Sequence, residues 1–271
     1  MSEHRSESMS ELEGLRDVLR RYERIVVAFS GGADSAFLAW VAHDTLGEDA
    51  VLAATAVSPS LPAEERAECQ ALAKQWGMRH VEVLTDEVER AAYQRNDADR
   101  CYHCKSALLD ELGPIAQAHG AVVALGVNLD DLTDHRPGQR AATERGSVFP
   151  LVEAGFTKAD VRAHSERLGL TTWDKPAAAC LASRVPYGTP VTVNLLGQVE
   201  RAESALRRLG LRALRVRHYD DTARIEVPVT DFPALLAARE DVVEALRLVG
   251  YRYVTLDLEG LRSGNLNQAL S

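Results

Sequence analysis

The sequence predicts an α/β protein: a mostly parallel sheet covered by helices, followed by a small C-terminal α+β domain. Three observations predict it. Short apolar, β-branched runs alternate with stretches of helical periodicity from Ile25 to Val127. The first of those runs ends in a glycine turn that leads directly into a helix. Beyond Val191 the order changes to helix, two strands, helix and strand. The 271 residues are enough for two domains at roughly 100–200 residues each, and the boundary is placed near Val191, giving 1–190 and 191–271.

Each element has its own signal. Ser10–Glu23 carries Leu12, Leu15 and Leu19 at helical spacing behind a Ser10 cap. Ile25–Phe29 is a buried strand, and Phe37, Leu38 and Val41 resume helical periodicity after the glycine turn. Val51–Val57 and His80–Leu84 read as strands, Ala63–Trp76 and Ser106–His119 as helices, and Ala121–Val127 as the last strand of the sheet. Such alternation implies right-handed crossovers and a sheet buried on both faces. Asn128–Gly146 is polar and rich in turn residues, and a loop of about 20 residues inside a compact domain is usually functional. Thr157–Leu170 is a helix, and Pro176–Pro190 is the boundary loop. Val199–Leu209 and Phe232–Leu248 are the later helices, with strands at Ala213–Val216, Ala223–Val227 and Tyr251–Leu256.

Composition excludes several classes. Asp and Glu number 40 against 31 Lys and Arg, a net charge of −9, which argues against a protein that coats nucleic acid. A hydrophobic content of 46% is too high for a disordered chain. No run approaches the roughly 20 apolar residues of a membrane helix, and the polar Met1–Ser10 lacks the apolar stretch of a secretory signal. The expected location is the cytoplasm, where Cys69, Cys101, Cys104 and Cys180 stay reduced. Any special role for them is then metal or sulfur chemistry.

The turn Ser30-Gly31-Gly32-Ala33-Asp34-Ser35 joins a strand to a helix, where free N–H groups and the helix dipole favour an anion. Gly31 and Gly32 let the backbone close round a phosphate, and Ser30 and Ser35 add hydroxyl donors. Asp34 has the wrong charge for a phosphate ligand and suits either Mg2+ or a backbone turn. The loop lacks the Gly-Lys-Ser/Thr ending of a Walker A motif and the G-x-G-x-x-G spacing of a dinucleotide fold. It resembles the SGGxDS loop of the PP-loop ATP pyrophosphatase superfamily, whose members split ATP between its α and β phosphates.

Four more stretches narrow the resemblance. They are Arg100-Cys101-Tyr102-His103-Cys104-Lys105, Gly126-Val127-Asn128-Leu129-Asp130-Asp131 with Arg136-Pro137-Gly138, Lys175-Pro176-Ala177-Ala178-Ala179-Cys180-Leu181-Ala182-Ser183-Arg184, and Tyr253–Gly264. With the phosphate loop they resemble the LarE family of ATP-dependent sulfur transferases, from about Arg24 to Asn267. The resemblance implies that ATP adenylates a carboxylate of pyridinium-3,5-biscarboxylic acid mononucleotide. The thiolate matched by Cys180 then forms a thioester, and elimination leaves a thiocarboxylate on the substrate and dehydroalanine in the chain. It also implies a homo-oligomer.

The residues are compatible with that chemistry. An acyl-adenylate gives a thiolate a leaving group to displace. Cys180 is near Lys175 and Arg184 in sequence, and cations favour the thiolate, although a buried apolar cysteine is the bland alternative. Cys101-x-x-Cys104, in the polar loop before the Ser106–His119 helix, offers two cluster or metal ligands. Some LarE members use three cysteines to hold a 4Fe-4S cluster, here matched by Cys101, Cys104 and Cys180, and a redox dithiol or a zinc half-site remains open for the pair. Cys69 reads as structural. Arg215 and Arg217 alternate on one strand face and are the favoured ligands of the substrate phosphate, with Ser183 and Arg184 near Cys180 and with Glu203 and Glu226 to orient the arginines. Surface ion pairs are the alternative for each. Gly126 would let adenosine approach the backbone at a strand end, and Asp130 or Asp131 would help Mg2+ or order the loop. A PP-loop tRNA thiolase is the competing function, disfavoured by the net charge.

Overall fold

The structure is a computed structural model describing residues 2–133, 137–176 and 179–262. Arg136, Ala177, Ala178, Ser263 and Gly264, which belong to the motifs above, lie outside the described residues. The chain divides into two compact units, one of Met1–Glu87 and Cys101–Ala178, the other of Val88–Arg100 and Ala179–Ser271.

The first unit is built on a parallel sheet of β1 (Ile25–Ala28), β2 (Val51–Val57), β3 (His80–Leu84) and β4 (Val122–Leu125), in the order β3-β2-β1-β4. Val26 pairs with Leu52 on one side and Val123 on the other, so β1 is central. Successive side chains on a strand point to opposite faces, and the apolar runs fill both. Ile25, Val27, Val51 and Ala53 join Leu15, Leu19, Phe37 and Val41 on one face. Val26, Leu52 and Ala54 join Leu108, Leu109 and Leu112 on the other. Burying each large aliphatic side chain stabilises the fold by roughly 1.5–3 kcal/mol, which explains why the β-branched runs became interior strands. The Ala33–Leu46 helix packs against β1 and β2 on one side and the Ser2–Tyr22 and Lys158–Arg167 helices on others, so it is apolar nearly all round.

Three expectations are corrected here. Ser10 is not a cap, because the first helix runs Ser2–Tyr22. The Ser106–His119 helix begins earlier, at Arg100, so Cys101 and Cys104 lie in its first turns and not in a loop. Asn128–Gly146 is not structureless: it contains a 3-10 turn at Leu129–Thr133 and a helix at Pro137–Glu144, and Val148 then adds a one-residue bridge to Ala124 of β4.

In the second unit, β5 (Arg215–Tyr219), β6 (Thr222–Glu226) and β7 (Tyr253–Leu256) form a mixed sheet, antiparallel between β5 and β6 and parallel between β6 and β7. Helices Val193–Arg208, Phe232–Ala237 and Arg239–Leu248 cover it, which is the expected helix-strand-strand-helix-strand order with one helix broken at Ala238. Leu206, Val216, Ile225, Leu246 and Tyr251 form its core. This unit begins at Ala179, short of the boundary read near Val191, and takes in Val88–Arg100. The Asn96 amide donates to the carbonyls of Pro186 at 2.7 Å and Thr189 at 2.9 Å, and Arg100 donates to Ala182 O at 2.9 Å. Such long-range bonds leave no periodicity in the sequence. Among the described residues no helix is long and apolar enough to cross a membrane.

Candidate active site

The phosphate loop lies at the carboxyl end of β1, the end at which parallel sheets bind ligands. Its shape follows from close contacts. Gly31 has φ +69°, and a Cβ there would lie 2.8 Å from Cys69 Sγ. Cys69 forms the floor of the loop, fully buried on the Ala63–Gln75 helix, and burial pushes its thiol pKa up to about 11. The structural reading of this cysteine fits that environment. Gly32 begins the Ala33–Leu46 helix without a side-chain cap, leaving the first N–H groups of that helix for other acceptors. Ser35 Oγ accepts from Ser30 N at 3.2 Å, lies 3.0 Å from Ser30 Oγ and donates to Gly32 O at 3.2 Å, so the two serines brace the turn.

Asp34 is not arranged for a metal ion: Lys158 Nζ donates to one carboxylate oxygen, and Asn128 Nδ2 donates to the other at 3.1 Å. The turn after β4 is equally internal. Asn128 and Asp131 exchange backbone and side-chain hydrogen bonds at 3.2 and 3.3 Å, and Asp130 accepts from Lys158 N at 2.7 Å. These bonds tie both aspartates to the loop. Gly126 serves the protein itself, since a Cβ there would sit 2.7 Å from Ser35 N. Its bare Cα admits the start of the phosphate-loop helix.

Sequence reasoning missed Lys158 and Asn128 at this loop and set Lys175 beside Cys180. The Lys175 ammonium donates to Gly31 O at 3.2 Å and to Glu65 and Glu68 at 2.8 Å each. Burial alone would lower its pKa, but the two carboxylates outweigh burial and raise it. The only available signal was its basic charge, because the contacts span more than 100 residues.

Cys101 is exposed and Cys104 half-buried. Three residues apart, they occupy one side of a helix. Their turn is held from the Pro137–Glu144 helix: Tyr102 donates to Glu144 at 2.5 Å, Arg140 lies over the Tyr102 ring, and a Cβ on Gly138 would approach Cys101 O to 3.3 Å. Among the described residues no three potential metal ligands group together.

In the second unit Cys180 is half-buried and precedes a 3-10 turn, Leu181–Arg184, to which its carbonyl contributes by accepting from Ser183 N at 2.9 Å. Arg184 donates to the carbonyls of Ala179 at 2.6 Å and Cys180 at 3.2 Å and to Ser183 Oγ at 3.0 Å. Its other edge makes a two-bond pair with Glu203 at 2.8 and 3.0 Å. Glu203 also accepts from Arg207 at 3.1 Å and from Val216 N at 3.0 Å, so it braces Arg184 and β5, with no bond to Arg215 or Arg217. Glu226 does meet Arg217, at 2.8 Å, and Arg217 also donates to Ser183 O at 2.6 Å. Arg217 is only 2% exposed; its two terminal nitrogens make these bonds, while its Nε is buried without a hydrogen-bond partner among the described residues.

Arg215 differs. It is half-buried, donates to Arg262 O at 3.2 Å and has no carboxylate partner among the described residues. Burial, reinforced by Arg184 and Arg217, lowers its pKa from the usual guanidinium value. An anion there would relieve both effects. Cys180, Ser183, Arg184, Arg217, Glu203 and Glu226 thus form one hydrogen-bonded cluster, and Arg215 lies within electrostatic reach of its arginines and glutamates.

The chain is similar in sequence to several known proteins. Residues 10–108 match the NAD synthase family. An uncharacterised protein of Synechocystis is 47% identical over 265 residues, covering 97% of this chain and 98% of that protein. The pyridinium-3,5-bisthiocarboxylic acid mononucleotide synthase of Lactiplantibacillus plantarum is 39% identical over 254 residues, 93% of this chain and 92% of the synthase. An uncharacterised protein of Methanocaldococcus jannaschii is 26% identical over 242 residues, 89% of this chain and 92% of that protein.

Proposed function

We infer the function from one premise: the chain belongs to the LarE family of the PP-loop ATP pyrophosphatase superfamily. It is an ATP-dependent sulfur transferase that converts carboxylates of pyridinium-3,5-biscarboxylic acid mononucleotide to thiocarboxylates for nickel-pincer cofactor synthesis. The observation that carries this reading is the 39% identity to the Lactiplantibacillus synthase, sustained over 93% of the chain.

The chemistry follows from the parts. A substrate carboxylate oxygen attacks the α-phosphorus of ATP, the bond to the β-phosphate breaks, and pyrophosphate leaves. The Ser30–Ser35 loop offers the leaving pyrophosphate unpaired helix N–H groups and two hydroxyls, donors that stabilise charge developing there. PP-loop enzymes take ATP with Mg2+; the engaged carboxylate of Asp34 is not fitted to hold that ion. Arg215 takes the phosphate of the mononucleotide. Cys180 Sγ then attacks the acyl carbon, AMP leaves with the electron pair of the broken C–O bond, and a thioester forms. Removal of the Cys180 Cα proton with cleavage of its Cβ–S bond leaves thiocarboxylate on the substrate and dehydroalanine in the chain.

The Cys101-x-x-Cys104 spacing favours a second reading, in which these thiolates and Cys180 hold a 4Fe-4S cluster that supplies sulfur. The pair fits two ligands from one helical face, and Cys180 would supply the third. The test is to incubate anaerobically purified protein with ATP, Mg2+ and the pyridinium biscarboxylate and to measure protein and small-molecule masses together. Pyrophosphate, thiocarboxylate and loss of the elements of H2S from the Cys180 peptide are expected. Thiocarboxylate with an intact Cys180 would favour the cluster, and no sulfur in the small molecule would overturn the assignment.

A further inference from the structure

Lys175 brings a half-buried cation to the phosphate loop without offering it to a phosphate. Its side chain is 13% exposed. An ammonium has three N–H donors, and here Gly31 O at 3.2 Å, Glu65 at 2.8 Å and Glu68 at 2.8 Å take all three. Glu65 and Glu68 are three residues apart on the Ala63–Gln75 helix and so share a face. The next residue, Cys69, is the floor that Gly31 touches. One helix therefore supports the loop from below and grips the lysine that holds it.

The electrostatics make the grip informative. Two carboxylates and one ammonium leave an excess negative charge beside a loop read as an anion site. For ATP the carboxylates are an electrostatic cost, and that cost makes sense only if they do something else.

We propose that Lys175 is a positioning residue: held by Glu65 and Glu68, it fixes the Gly31 carbonyl and thereby aims the Gly32 N–H at the phosphates of ATP. In a trans peptide the carbonyl and the following N–H point in opposite directions, so anchoring Gly31 O on Lys175 turns Gly32 N–H away from it. Gly31 sits at φ +69°, in a region glycine enters and leaves freely, and without an anchor its peptide can flip. The proposal rests on the phosphate-loop reading above.

Two variants and two ligands test it, with Kd measured by calorimetry on the full-length protein and thermal melting recorded for each variant. Lys175→Met should weaken ATP binding by at least about tenfold, as for loss of a charge-assisted contact, and change AMP binding by less than about twofold. The double variant Glu65→Gln, Glu68→Gln should also weaken ATP binding, because it loosens the anchor. Tighter ATP binding by the double variant would overturn the proposal, since the carboxylates would then act only as repelling charges. Equal losses for ATP and AMP, or unchanged ATP binding by Lys175→Met, would overturn it too. Should the unmodified chain bind no ATP, the phosphate-loop reading itself would fall, and the positioning role with it.

Discussion

At the scale of single residues, glycines and a histidine decide the state of the phosphate loop. A methyl group on Gly126 would sit 2.7 Å from Ser35 N and 2.9 Å from Ser35 Cα, and backbone cannot yield as a flexible side chain does. Gly126→Ala should destabilise the protein by about 1–3 kcal/mol and displace the helix start that faces the phosphates. We expect pyrophosphate release to fall by more than the melting shift explains, measured as ATP-dependent pyrophosphate formation at a temperature where the variant stays folded. His80 acts on the same loop through Thr55. Thr55 Oγ1 donates to Phe29 O at 2.7 Å, so His80 Nε2, 2.9 Å away, is the donor in their bond. Burial lowers the His80 pKa, opposed weakly by Glu82, and burial likewise lowers that of His218. The folded state then binds fewer protons than the unfolded one below about pH 6.5, so stability present above that pH is lost as pH falls. Melting temperatures from pH 8 to pH 5 should decline on the acid side, and His80→Gln should flatten the part due to His80.

At the scale of elements, the turn after Cys180 and the strand β5 are joined by charges whose costs differ sharply. Glu203 is 1% exposed and carries the Arg184 pair, Arg207 and Val216 N at once. Glu203→Gln strands a buried guanidinium, and breaking such a pair costs about 3–5 kcal/mol. A large loss of stability, read by urea unfolding, is expected. Arg215→Met removes a guanidinium that has no carboxylate partner among the described residues, so it should leave stability nearly unchanged while raising the KM for the mononucleotide. Equal stability losses from the two variants would remove the distinction between brace and ligand. Most strands were legible because runs such as Val51–Val57 satisfy a short-range rule, burial of alternating or continuous apolar side chains, but β5 was misplaced: it runs Arg215–Tyr219, past the expected Ala213–Val216, because Arg217 and His218 carry no apolar signal. The start of the Arg100–Ala118 helix was not, since Arg100–Lys105 has no apolar period and is held by tertiary contacts such as Tyr102 with Glu144. Ala238 breaks the predicted Phe232–Leu248 helix although the apolar spacing runs on through it.

For the whole molecule, the family was readable from the loop sequence and the Cys180 motif, whereas the partners of Lys175, Asp34 and Glu203 were not, because those bonds depend on the folded path of the chain. The sequence placed Lys175 near Cys180 by counting residues; the fold engages its ammonium with Gly31, Glu65 and Glu68. What the entire chain does in one reaction is then a matter of stoichiometry. If Cys180 gives up its own sulfur, each chain yields one thiocarboxylate, and a substrate thiolated at both carboxylates consumes two chains. Product formed per chain should rise with ATP and stop at one, whatever excess of substrate is supplied. Cys180→Ala should abolish product but still release pyrophosphate, because adenylation precedes the sulfur step. Cys101→Ser with Cys104→Ser should leave the yield per chain unchanged. A yield above one per chain in the presence of sulfide, lost in that double variant, would transfer the sulfur step from the Cys180 thiol to a cluster. The phosphate-loop chemistry would stand in either case, since pyrophosphate release does not depend on which sulfur follows it.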